Sequence, residues 1–199
     1  MSIIKHFQSN IMDNSCNSIK YYLTKVNKQY VLHICNPSND KININGKNKP
    51  FFKKIIEMLF DSDYKKNKGC FNYEHPDSND PLYDYDFNQL MNKFLVNDYC
   101  IILINDKMDP LSYLSISNNT LWTLCTNHLY RNKGNMTILL NHVFKLINNN
   151  KLKTNVDLPN LTIYIKKNNP IKDKLFNYYK TFNFKMYQDI SDYLILKYN

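Results

Sequence analysis

Two runs of β-branched and aromatic residues, 19–26 and Gln29–Cys35, are divided only by Asn27 and Lys28. That spacing predicts a hairpin or a pair of edge strands. Residues up to about 18 carry little pattern and read as a loose arm or a further edge strand. After a polar stretch, 36–48, Pro50 stands where a first helical turn tolerates proline. Phe51, Phe52, Ile55, Ile56, Leu59 and Phe60 then recur at helical spacing. Residues 61–86 are polar and aspartate-rich, the pattern of a long loop. Helical spacing returns over 85–96 through Leu90, Met91, Phe94 and Leu95.

From Tyr99 the period changes. Residues 99–105 form a continuous apolar run closed by turn-forming residues 105–110, and 111–117, a tight turn at Asn118-Asn119 and 120–127 follow. The pattern predicts a three-strand antiparallel meander. Met136, Leu139, Leu140, Val143, Phe144 and Ile147 line one face of a helix. Residues 161–165 read as a strand, and a helix after Pro170 carries Ile171, Leu175, Tyr178, Tyr179 and Phe182. Two strands, 184–188 and Tyr193–Tyr198, close the chain. Strand, helix and strand from 120 to 166 make a crossover between parallel strands. The expected architecture is one α/β domain over residues 1–199, a mixed sheet with helices on both faces.

Composition changes this picture little. With 43% apolar and 22% charged residues, the 199-residue chain reads as soluble and globular. Asparagine, lysine, isoleucine and tyrosine are used as an AT-rich genome would use them. The net charge of +9 comes almost wholly from lysines spread along the chain, a weak pointer to nucleic acid or membrane. Cysteines at 16, 35, 70, 100 and 125 contain no C-x-x-C pair, so neither a disulfide framework nor a zinc site is expected. No signal-peptide core or bilayer-length apolar run is visible, and an intracellular, cytoplasmic setting is expected.

The most specific passage is 121–147. A strand ends near Asn127, a turn holds Arg131, Asn132, Lys133 and Gly134, and a helix opens through Asn135, Met136 and Thr137. The first amides of a helix have no internal partners, and with the helix dipole they suit a pyrophosphate. Gly134 lets backbone approach a phosphate closely, and Lys133 adds charge. Arg131 is the only arginine and Gly134 one of three glycines, which makes their pairing specific. Taken alone, the turn reads equally as an ordinary turn glycine beside a surface arginine.

Its surroundings favour the first reading. The segment resembles motif A of the GNAT-type, acetyl-CoA-dependent N-acetyltransferases, a strand ending in L-x-V-x-P-x-x-[QR]-x-x-G-x-[GA]. Leu124, Cys125 and Thr126 stand on that strand, Arg131 at [QR] and Gly134 at the first glycine, with Thr137, Leu139 and Leu140 at the helix start. His128 replaces the usual proline and Met136 the second small residue. Residues 179–184, YKTFNF, resemble the Y-x-x-x-G-F that closes the family's motif B, with Asn183 for glycine. The family's asparagine near that helix start is matched only loosely, by Asn168 or Asn169. The resemblance covers 99–198 and implies two parallel strands, 121–127 and 161–165, that splay apart.

That resemblance also implies chemistry. Main-chain groups of Leu124, Cys125 and Thr126 would hold the pantetheine arm and polarise the acetyl carbonyl, with residues 131–137 on the diphosphate. A primary amine, on a small molecule or a protein, would attack the thioester directly in a ternary complex. Tyr179 stands where many members place the acid that protonates the leaving thiolate. Relatives often carry a glutamate base on the first splayed strand, and 121–127 has no carboxylate.

Several other residues are read as bland. Trp122 is expected in the core, Cys125 is expected to contribute main chain only, and His128 and His142 lack metal-ligand spacing. Asp61, Asp63, Glu74, Asp77, Asp80, Asp84 and Asp86 read as a solvated loop, or as a wall for a cationic amine. Two alternatives stand beside the transferase: a GNAT-like domain that binds acyl-CoA or a partner without turnover, and a basic nucleic-acid-binding module. No metal and no membrane are expected as partners.

Overall fold

The computed structural model describes residues 20–26, 28–35, 49–59, 99–149 and 160–199. The arm up to 18, the aspartate-rich stretch and the helix expected over 85–96 lie outside them. Strands β1 (Lys20–Val26) and β2 (Gln29–Cys35) pair antiparallel with Val26 opposite Gln29, the predicted hairpin. Helix α1 (Lys49–Leu59) follows, and then the meander β3 (Tyr99–Ile104), β4 (Pro110–Ser117) and β5 (Thr120–Thr126). Asn118 and Asn119 both take positive φ, 48° and 59°, as a two-residue hairpin turn demands and as asparagine tolerates. Helix α2 (Asn135–Asn148), β6 (Thr162–Lys166), α3 (Lys172–Lys180), β7 (Phe184–Asp189) and β8 (Tyr193–Tyr198) complete the order.

The strands form one eight-stranded sheet in the order β1-β2-β3-β4-β5-β6-β8-β7. Among the described residues only the β5–β6 pair is parallel, and every other neighbour runs antiparallel. The continuous apolar run of β3 is explained by burial on both faces. Tyr99, Ile101 and Leu103 join a core with α2 and α3, while Cys100, Ile102 and Ile104 join a second core with α1. Helices therefore cover both faces, as expected.

Helix α1 buries Phe51, Phe52, Ile55, Ile56, Met58 and Leu59 and exposes Lys53, Lys54 and Glu57. Phe52→Ala is expected to cost about 3–5 kcal/mol through lost transfer energy and the cavity left behind. Lys53→Ala, at an exposed i,i+4 pair 3.9 Å from Glu57, should stay within about 0.5 kcal/mol. Urea midpoints of the two variants check the contrast.

One polar pair joins β2 to α2, with one partner buried and the other half-buried. His33 on β2 is fully buried, and its Nε2 lies 3.2 Å from Nε2 of His142 on α2. Burial, and then the charge of His142, hold His33 well below the ordinary histidine range; His142 is lowered by burial and by Lys145. The unfolded chain titrates at about 6.5, so below that pH it binds protons that the folded chain refuses. Stability should be flat above about pH 6.5 and fall as pH drops below it, and His33→Leu should flatten that acid limb. Urea midpoints at pH 7.5 and 5.5 test this; a fold more stable at 5.5 contradicts it.

Candidate functional site

Strands β5 and β6 share only two rungs, Thr120 with Thr162 and Leu121 with Ile163. Beyond Leu121, β5 continues to Thr126 and β6 to Lys166 with no further pairing between them. The two strands form a fork. Its closed end is pinned by the Thr120 and Thr162 hydroxyls, 3.0 Å apart, and by the Thr162 N–H donating to the Asn119 carbonyl at 2.8 Å. A register shift against β4 places Ser115 opposite Thr123 and Ile116 opposite Leu121, so Trp122 has no partner. Such a bulge re-aims the side chain it carries.

Along the open arm, Leu124 packs partly buried on the α2 core and Cys125 is buried toward α1. The Thr126 hydroxyl lies 3.1 Å from that of Ser112. Cys125 is disulfide-bonded, against the expectation of no disulfide framework, and offers no free thiol. Cysteine spacing alone does not reveal such a pairing.

The arm ends in an organised turn. The Asn127 side chain accepts from the Leu129 N–H at 3.1 Å and donates to the Pro110 carbonyl at 3.0 Å, ahead of a single 3₁₀ turn, His128–Tyr130. Arg131 is exposed, and its Nε donates to the Thr126 carbonyl at 3.3 Å. Asn132 and Gly134 are left-handed, with φ of 60° and 73°. Lys133 is exposed and reaches the Leu129 carbonyl at 3.4 Å and the Tyr130 ring at 5.2 Å. Gly134 is the N-cap of α2, and no side chain caps the helix. The first helical bond runs from the Ile138 N–H to the Gly134 carbonyl, which leaves the amides of Asn135, Met136 and Thr137 at the opening. A Cβ added at Gly134 would meet nothing within 4 Å, so the space above it is open.

Beneath the turn the side chains of the first helical residues point elsewhere. Asn135 is buried, donates to the Tyr130 carbonyl at 2.9 Å and accepts from Gln29 at 3.4 Å. Met136 packs against the core, away from the open space. The Thr137 hydroxyl shares a 3.1 Å hydrogen bond with the Tyr178 hydroxyl. Tyr178 was not singled out from the sequence, because its helical spacing marks it only as one more core residue.

Tyr179 is 6% exposed and lies edge-on to Phe184 and Tyr178. Its hydroxyl makes no hydrogen bond among the described residues. Burial, and then Tyr178, push its ionisation far above the ordinary tyrosine value, so the phenol keeps its proton. Asn183 takes φ of 65° after α3, the left-handed end expected of it. The Asn169 side chain accepts from the Ile171 N–H at 3.0 Å and is spent on that turn.

Trp122 corrects the sequence reading. It is 61% exposed, not core, and its ring runs parallel to that of Tyr164, 6° off with centroids 6.2 Å apart. The bulge turns it away from the α2 face, onto a part of the sheet that no described helix covers. Among the described residues no three His, Cys, Asp or Glu side chains gather as a metal site, and no helix is long and apolar enough to cross a membrane.

An antiparallel meander, a forked parallel pair and a closing β8-β7 hairpin define the GNAT fold, and this chain has it. Among solved structures it is similar to a protein of Bordetella pertussis assigned to the GNAT acetyltransferase family, at 10% identity and a TM-score of 0.50 over 89% of this chain and 99% of that one. It is also similar to the N-acetyltransferase PseH of Campylobacter jejuni in complex with acetyl coenzyme A, at 18% identity and a TM-score of 0.45 over 73% and 92%. A GCN5-related N-acetyltransferase of Rhodopseudomonas palustris matches at 14% identity and a TM-score of 0.39, over 56% of this chain and 65% of that one. At such identities the likeness establishes the fold alone. No protein-family model and no curated protein sequence matches the chain.

Proposed function

We propose that the chain is an N-acetyltransferase that moves an acetyl group from acetyl-CoA directly to a primary amine in a ternary complex. The observation that carries this reading is the β5–β6 fork leading into the uncapped start of α2 at Gly134. Main-chain groups of Arg131, Asn132, Lys133, Gly134, Asn135, Met136 and Thr137 would hold the diphosphate, with the Arg131 and Lys133 side chains at its mouth. Main chain at Leu124, Cys125 and Thr126, free of a β6 ladder, would bind the pantetheine arm and polarise the acetyl carbonyl. The amine nitrogen bonds to the carbonyl carbon, the carbon–sulfur bond breaks, and Tyr179 supplies the proton to the departing thiolate. With no carboxylate on β5, the amine proton leaves through water or through a residue of the N-terminal half.

A second reading is a domain that binds acyl-CoA without turnover. The bare β5 and the deep burial of Tyr179 favour it. Thermal shift with acetyl-CoA, combined with thiol release over a panel of amines, separates the two. Stabilisation with release supports the transferase, and stabilisation without release supports the binding domain. No stabilisation removes both.

A further inference from the structure

We infer that the exposed aromatic pair at the fork, Trp122 and Tyr164, is the platform for the acceptor, and that the acceptor is an amine carried by a flat, phosphate-bearing molecule of the nucleotide class. This rests on the acetyltransferase reading, because it places the acceptor at the same fork. Trp122 and Tyr164 are the first residues past the last rung, Leu121 with Ile163. They therefore stand at the closed end of the fork, away from the Gly134 turn, where an acyl group threaded from that turn would stop.

The face is equally specific. Leu121, Leu124, Ile163, Ile165, Leu194 and Leu196 pack toward α2 and α3, and strand alternation puts Tyr164, Tyr193 and Ile195 on the opposite side. There Tyr193 meets Tyr164 edge-on, at 6.0 Å and 82°. Exposures of 61% for Trp122 and 44% for Tyr164 leave ring surface open for a third ring to stack.

Charge selects among flat ligands. On the same side of the sheet, Lys166 lies two residues beyond Tyr164, Lys197 pairs with Thr162, and Lys185 pairs with Lys197. The Lys197 ammonium sits 5.4 Å over the Tyr187 ring, which fixes its side chain on this face. No strand carboxylate alternates onto it among the described residues; Asp189 pairs with Leu194 and is bound by Lys167. An aromatic pair flanked on its β6–β8 side by lysines disfavours a polyamine and favours a base with phosphate.

Trp122 is the only tryptophan, so intrinsic fluorescence reads this site directly. Titrating the full chain with UMP, without acetyl-CoA, should quench it saturably. Tyr164→Ala and Lys197→Glu should each weaken the UMP affinity by about tenfold, as should raised salt. Gly134→Val should leave UMP quenching unchanged while removing stabilisation by acetyl-CoA, so the two readings fail separately. Quenching by spermine in place of UMP overturns the proposal. So does a response to oligouridylate without one to UMP, or a concentration-dependent signal with doubled mass on sizing. UMP quenching in a chain that never responds to acetyl-CoA overturns the acceptor role.

Discussion

Tyr179→Phe is expected to lower acetyl transfer about 10²- to 10⁴-fold while acetyl-CoA binding stays unchanged. The variant is unusually clean because the residue is largely buried and the hydroxyl it removes makes no hydrogen bond among the described residues. Packing on Phe184 and Tyr178 is kept, so the thermal midpoint should hold or rise slightly. Burial keeps the phenol protonated across the whole neutral range, so the donor form is always present, and at the same time makes it a weaker acid. The pH profile of turnover should therefore show no tyrosine limb below pH 10. Single-turnover thiol release decides the matter, and equal rates in the two proteins dismiss the acid role.

Gly134→Val should weaken acetyl-CoA binding on the order of a hundredfold, the loss of about two charge-assisted hydrogen bonds. Two effects combine. At φ of 73° a β-branched residue is strained by about 1–2 kcal/mol, and its side chain projects into space that is otherwise empty. A domain with about 5–15 kcal/mol of stability survives that strain, so the variant should fold. Gly134→Asn separates the two effects, because asparagine tolerates the left-handed backbone yet still fills the space. Calorimetric titration with acetyl-CoA should find both variants weak; wild-type affinity in either removes the diphosphate assignment.

Local chemistry made much of the fold legible. The β3 run, the Asn118-Asn119 turn and the helical spacing of Met136 to Ile147 each depend on neighbours in sequence. So does the turn at Gly134, where a rare glycine and the lone arginine stand out against a lysine-rich background. What escaped reading depends on partners far along the chain. Trp122 is turned outward by a register shift against β4, which alternation within β5 does not announce. His33 meets His142 across 109 residues, and the Cys125 disulfide is likewise invisible to spacing. Tyr178 was hidden for the opposite reason: its helical position is so ordinary that its bond to Thr137 leaves no mark in sequence.

The threonine pair that closes the fork carries a last consequence. With its floor bolted by Thr120, Thr162 and the Asn119 carbonyl, the slot cannot deepen past the Leu121–Ile163 rung. The open arm from Trp122 to Thr126 spans about 13 Å at the rise of an extended strand. A ligand entering from the Thr126 side would meet that floor at a fixed depth.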